Sequence, residues 1–161
     1  MTIDFILNGE DVSVQAEPME RLVDLLRERF KLHSVIGDCG VGLCGKCLVL
    51  LEGKPVNACI VPAFRVRGAE VVSYEGFCNT EEHDKARQAL EKAGLDLCAF
   101  CKGAYSMALG YLIEHGVRFE DEAVAELLSS IHCSCSAPSA LLEAARFALA
   151  EKEGGRYARG R

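Results

Sequence analysis

Residues 37–47, GDCGVGLCGKC, place three cysteines and four glycines in eleven positions. Cys39, Cys44 and Cys47 stand at C-x4-C-x2-C, with Gly37, Gly40, Gly42 and Gly45 beside and between them. No other feature limits the fold as strongly. An interior glycine costs a helix about 1 kcal/mol relative to alanine and also weakens a strand. The stretch must therefore be a loop, and the chain on either side has to supply the scaffold that holds it. With nearly every bulky side chain removed, backbone amides can come close to whatever the thiols hold, and several residues are free to take φ > 0.

The flanking segments read as a small mixed sheet with one helix on it. Residues 2–7, TIDFIL, alternate as a strand, Asn8-Gly9 is a hairpin signal, and 11–15, DVSVQ, alternate again. After Pro18, MERLVDLLRERF spaces Leu22, Leu25 and Leu26 as a helix. Residues 47–51, 56–60 and 69–74 read as further strands, with a turn at 52–55. The character changes near Gly76. Asn79 and Glu82 stand at capping-box spacing, and helical segments are expected at about 81–93, 99–115, 120–131 and 138–152. Gly94, Gly116 and Gly154 sit where helix stops are wanted. The second half is thus a small helical bundle, and the tail EGGRYARGR is expected to be mobile.

On this map eight of the nine cysteines form two groups. Cys39, Cys44, Cys47 and Cys59 lie in the β-rich half. Cys98, Cys101, Cys133 and Cys135 lie in the helical half, as C-x2-C, thirty-one residues, then C-x-C. Cys78 lies at the junction and belongs to neither by spacing. The first group has the spacing of plant-type ferredoxins, and its glycines suit amides that hydrogen-bond to sulfur, so it favours [2Fe–2S] over the shorter C-x2-C knuckles of structural zinc. The second group alone is ambiguous between zinc, with His132 as a competing ligand, and a second iron–sulfur centre. Beside a ferredoxin-like half the second centre is the better reading. Cys98 and Cys101, at i and i+3, would share one face at the start of a helix, and Cys133 and Cys135 lie between the last two helices.

Composition excludes several classes. The net charge is −6, with 8 Lys/Arg against 11 Asp/Glu in residues 1–78 and 10 against 13 in residues 79–161. Neither half offers a basic face for nucleic acid. There is no tryptophan, so base-stacking platforms are not expected. No stretch reaches the roughly 18 apolar residues of a membrane span, and no secretory leader is recognised, so a cytoplasmic location is expected. In a reducing compartment a cysteine-rich chain binds metal or does thiol chemistry more often than it forms disulfides.

DCGVGLCGKC with NAC at 57–59, CAFC at 98–101 and CSC at 133–135 resembles the small iron–sulfur subunit of the molybdenum hydroxylases, the relatives of xanthine dehydrogenase, aldehyde oxidoreductase and carbon monoxide dehydrogenase. The resemblance runs over roughly residues 3 to 150 and includes LNGEDV, VDLLRERF, LEGKPVNAC and YEGF. It implies an α+β chain: a β-grasp, plant-type ferredoxin-like domain at 1–77, then a four-helix bundle domain at 78–153, and a flexible tail at 154–161. It implies one [2Fe–2S] cluster on Cys39, Cys44, Cys47 and Cys59, and a second on Cys98, Cys101, Cys133 and Cys135. It further implies a large molybdopterin-binding subunit and a medium FAD-binding subunit as partners, in a dimer of heterotrimers. This chain would relay electrons between them with no substrate pocket of its own. Two positions depart from the family pattern. The glutamine that touches the pterin is Leu97 here, and the arginine between the last two cysteines is Ser134. These departures leave open a partner that holds its cofactor differently or lacks molybdopterin, and a stand-alone ferredoxin-like or zinc-binding module.

The remaining candidates have plainer readings. Cys78 reads as a small buried hydrophobe, His33, His83 and His115 as surface residues, and Met107, Leu109, Leu112 and Ile113 as bundle core. Lys46 and Lys102 sit inside the cysteine loops and read as solvated cations rather than as charges that raise a potential.

Overall fold

The computed structural model describes residues 1–116, 118 and 122–157. Strands β1 (Thr2–Leu7) and β2 (Glu10–Gln15) form an antiparallel hairpin with Leu7 opposite Glu10. Its two-residue turn, Asn8 at φ 53° and Gly9 at φ 84°, has the positive dihedrals that match the twist of the strands. Helix α1 (Leu22–Glu28) crosses over, the cysteine loop follows, and β3 (Leu48–Leu51) and β4 (Lys54–Asn57) form a second hairpin. That turn is Glu52-Gly53 alone, so Lys54 and Pro55 already belong to β4. β4 is an edge strand, where proline is tolerated. β5 (Glu70–Val72) completes the order β2-β1-β5-β3-β4, parallel to β1 and antiparallel to β3. The mixed sheet carries α1 on one face, the expected ferredoxin-like arrangement.

The alternation of β1 buries Ile3, Phe5 and Leu7 against Leu22, Val23, Leu25 and Leu26 of α1. β3 serves two cores. Val49 faces the α1 side, while Leu48 and Leu50 join the helical core. This double burial is why LVLL carries no polar residue.

The helical part begins earlier than its spacing suggests. Residues 69–74 do not form one strand: β5 ends at Val72, and α2 (Tyr74–Phe77) starts at once. α3 (Glu81–Lys92) is capped by Thr80, whose hydroxyl accepts the His83 amide at 3.2 Å, and not by Asn79. α4 (Lys102–His115), α5 (Glu122–Ser129) and α6 (Pro138–Tyr157) follow. Helices α3 to α6 pack on one another, and α4 also packs on β3 and β4. α4 is buried from Gly103 to Gly110 and is apolar all round, as the central helix of a core must be. A side chain at Gly110 would sit 2.2 Å from the Phe77 ring, so the small residue lets α2 approach α4. Met107, Leu109, Leu112 and Ile113 are all core. Gly94 and Gly116 end α3 and α4 as expected, but Gly154 does not stop α6, which runs on to Tyr157. The expected tail at 154–161 is therefore helical as far as residue 157, and 158–161 lie outside the described residues, as do 120 and 121 at the expected start of α5.

Candidate metal centres

All nine cysteines are free thiols. Sulfur separations among them come down to 3.2 Å, which still far exceeds the roughly 2.05 Å of a disulfide.

The loop between α1 and β3 carries Cys39, Cys44 and Cys47. Cys59 reaches the same place from a 3-10 turn, Ala58–Ile60, directly after β4. The Ala58 amide donates to the Cys47 carbonyl at 3.1 Å, tying this turn to the loop. Amides of the loop point at sulfur, among them Gly42 N–H to Cys59 Sγ at 3.1 Å, Leu43 N–H to Cys39 Sγ at 3.3 Å and Cys44 N–H to Cys39 Sγ at 3.4 Å. The approach depends on Gly40, Gly42 and Gly45, which take φ of 67°, 76° and 71°. The Asn57 side-chain amide holds the loop by donating to the Gly42 carbonyl at 3.0 Å. Amide hydrogen bonds, led by that of Val41, draw the Cys39 thiol down to about 6. Burial, with Cys59 and Cys44 as neighbours, pushes Cys47 up to about 12.

The second quartet is more compact. Cys98 Sγ lies 3.4 Å from Cys101 Sγ and 3.7 Å from Cys133 Sγ, and Cys135 Sγ lies 3.2 Å from both Cys101 and Cys133. Among the described residues it is the one set of three or more potential ligands whose donor atoms all lie within 4.8 Å. Cys98 and Cys101 are not on a helix. They form a turn closed by the Cys101 and Lys102 amides on the Cys98 carbonyl, and Cys101 is the residue before α4. Cys133 and Cys135 come from the connection between α5 and α6. The buried Tyr105 hydroxyl holds that connection on α4 by donating to the Ile131 carbonyl at 2.6 Å. The Cys98 amide draws Cys135 down to about 6, whereas burial and three neighbouring thiols push Cys101 well above the usual thiol range.

The two quartets touch. The His132 amide donates to the Cys44 carbonyl at 2.9 Å, and a side chain on Gly45 would meet the Ser130 carbonyl at 2.4 Å. Lys46 lies at this seam. Its ammonium pairs with Asp38 at 2.8 Å and its side chain is 20% exposed, so the cation is ion-paired rather than free in solvent. The Asp38 hydrogen bond raises this lysine, burial opposes the shift, and the thiolates of Cys44 and Cys133 add to it. Lys102 is exposed, as expected.

The donor set suits an iron–sulfur group. Eight soft thiols stand in two sets of four, with amides aimed at sulfur. The Ser136 hydroxyl, beside Cys135, is buried without a partner and is available to donate to a sulfur-bearing group. It opens on a cavity of about 820 Å³ that Cys98, Cys133, Cys135, Lys46 and Phe100 also line. Ser134 is exposed on the same cavity, while Leu97, 7% exposed, is packed in the helical core.

Other readings change. His83 is not a surface residue: its side chain is 13% exposed and its ring packs edge-on against Tyr74 and Phe77. Cys78 is half-buried, and its amide donates to the Tyr74 carbonyl at 2.9 Å. His33, His115 and His132 are exposed. The spacing did not reveal the Tyr105 clamp, the Ser136 hydroxyl or the seam, which arise between segments distant in sequence.

Comparison with known proteins agrees with this geometry. Residues 5–72 match the 2Fe-2S iron-sulfur cluster binding domain. The chain is 32% identical to the nicotinate dehydrogenase small FeS subunit of Eubacterium barkeri, over 92% of this chain and 95% of that protein. It is also 32% identical to a probable xanthine dehydrogenase subunit of Bacillus subtilis, over 96% of this chain and 88% of that protein. The aldehyde oxidoreductase of Desulfovibrio desulfuricans superposes with a TM-score of 0.82 at 31% identity, covering 95% of this chain and 17% of that longer one. Among the described residues no helix is long and apolar enough to cross a membrane. The chain belongs to the family of small iron–sulfur subunits of molybdenum hydroxylase-type dehydrogenases, and it is the electron-transfer subunit of an oxidoreductase complex.

Proposed function

We propose that this chain carries electrons between a molybdopterin centre on a large subunit and FAD on a medium subunit, through two [2Fe–2S] clusters. Cys98, Cys101, Cys133 and Cys135 hold the cluster on the molybdenum side. Cys39, Cys44, Cys47 and Cys59 hold the one on the flavin side. The domains are 1–77 and 78–153, the second a four-helix bundle made by α3 to α6, and the complex is a cytoplasmic dimer of heterotrimers. What supports the reading is that Cys98, Cys101, Cys133 and Cys135 have their sulfurs within 4.8 Å of one another, and that amides of the Cys39 loop point at Cys39 and Cys59, with the two loops joined by His132 N–H to the Cys44 carbonyl at 2.9 Å.

A bound [2Fe–2S] group supplies one-electron storage at a potential set by charge, hydrogen bonds and exposure. The rest is done by this chain. Amides of Gly42, Leu43 and Cys44 offset negative charge on the first quartet. Burial of Cys47 and Cys101 keeps water from the inner side of each site.

The compactness of the second quartet favours a second reading for that site. Its sulfur separations of 3.2 to 3.7 Å are close to the roughly 3.8 Å edge of a tetrahedron of thiolates around one ion at about 2.3 Å. That reading goes with a partner lacking a standard molybdopterin site, to which Leu97 and Ser134 also point. Metal and acid-labile sulfide analysis of anaerobically purified protein separates the two. Two clusters give four irons, four sulfides and two signal sets in the electron paramagnetic resonance of the reduced protein. Two irons, two sulfides and one zinc overturn the two-cluster reading. Co-purification of a flavin chain and a large pterin chain tests the partners.

A further inference from the structure

We propose that Lys46 is a cation shared by the two sites, raising the reduction potential of the groups held by both quartets. The inference rests on the two-cluster reading above.

Four observations lead to it. Lys46 stands in sequence between Cys44 and Cys47, so its backbone is part of the first cysteine loop. Its side chain is 20% exposed and lines the cavity together with Cys98, Cys133 and Cys135 of the other quartet. Its backbone is held in place from both sides. The Ile36 amide donates to its carbonyl at 3.3 Å, and next to it Gly45 leaves no room for a side chain against Ser130 and Ile131. Finally, Asp38 fixes the ammonium at 2.8 Å.

The physical consequence follows from sign. Reduction adds one negative charge to a site that four thiolates already make anionic. A fixed positive charge nearby stabilises the reduced form more than the oxidised one and so raises the potential. The ammonium sits at the surface against Asp38, so added salt screens part of the effect. Asp38 offsets part of the effect, so the pair sets a level rather than a maximum. Lys102 is the natural contrast: it follows Cys101 directly, but its side chain is exposed to water.

The test is a redox titration of the anaerobically purified full chain, in whatever complex it isolates with, followed by electron paramagnetic resonance. Lys46→Met is expected to lower the one-electron reduction equilibrium constant at both signals on the order of tenfold, about 59 mV each. Lys46→Arg is expected to restore both values, Asp38→Asn to move both upward, and Lys102→Met to leave both in place. A wild-type protein with two signals whose potentials do not move in Lys46→Met overturns the proposal alone. A shift confined to the Cys39 quartet overturns the sharing. Wild-type protein with iron at one quartet only ends the two-cluster reading and the proposal with it. If Lys46→Met does not fold, an unmoved potential in Asp38→Asn overturns the proposal equally.

Discussion

The two cysteine quartets gather their thiols by different means. The first draws three thiols from one eleven-residue loop and the fourth from the turn after β4, and glycine backbone brings amides to sulfur. The second draws its thiols from two turns separated by thirty-one residues and brings them together through α4, α5 and α6, with one buried tyrosine hydroxyl as a clamp. The first site is a property of a loop, whereas the second is a property of a helical core. Yet each combines a thiol drawn down to about 6, Cys39 and Cys135, with a buried one pushed up, Cys47 and Cys101. A buried thiolate is costly unless something positive compensates it, and a bound metal supplies that charge. The difference in construction implies that the second site answers to the stability of the bundle and the first does not.

The largest expected effect is selective loss of metal. Cys101→Ser should remove the metal of the helical quartet while the first site keeps its iron, and Cys47→Ser should do the reverse. Iron and sulfide content with the resonance of each reduced variant reads this directly. Simultaneous loss of both sites from either variant would break the comparison. Tyr105→Phe acts on a smaller scale. It leaves the buried Ile131 carbonyl without its donor, at a cost of about 1–3 kcal/mol. The thermal midpoint should fall by a few degrees, and a chelator should strip the second quartet faster while the first is stripped at the wild-type rate. Equal acceleration at both would show that the sites share one unit of stability.

The smallest effect is acid sensitivity beside the first loop. Glu75, at the start of α2, accepts the Ser34 hydroxyl at 2.6 Å, the Ser34 amide at 3.1 Å and the Ser73 hydroxyl at 2.7 Å. Burial alone would raise this carboxyl, but the hydrogen bonds from Ser34 and Ser73 outweigh it and leave it below the ordinary 4.5. A group lowered on folding gives stability that is complete above its unfolded value, about pH 4.5, and lost as pH falls through the folded one. Because Ser34 lies just before the cysteine loop, acid should loosen the first site first. Thermal melts from about pH 6 to about pH 3 should show a steeper acid loss in wild type than in Glu75→Gln. Identical slopes would remove Glu75 from the account.

Much of the fold could be read in advance because its signals are local. β1 alternates, Asn8-Gly9 specifies its turn, and Leu22, Leu25 and Leu26 mark one helix face, so the ferredoxin-like half followed its pattern closely. The errors fell at junctions. Tyr74 continues an apolar strand pattern, yet it opens α2, because Phe77 has to reach Gly110 on α4. Thr80 displaces Asn79 as the cap, a choice between neighbours of nearly equal propensity.

By itself the sequence singled out eight thiols as candidate metal ligands and the backbone that had to be free of bulk, because thiol chemistry and glycine conformation belong to single residues. It also determined the order of sheet and helices, through hydrophobic period. Only the tertiary structure decided that the quartets meet at Cys44 and His132, that Lys46 lies between them, that Tyr105 clamps the second and that Leu97 faces the core. Those relations join residues far apart along the chain, and no local propensity records a contact that exists only after two cores have packed.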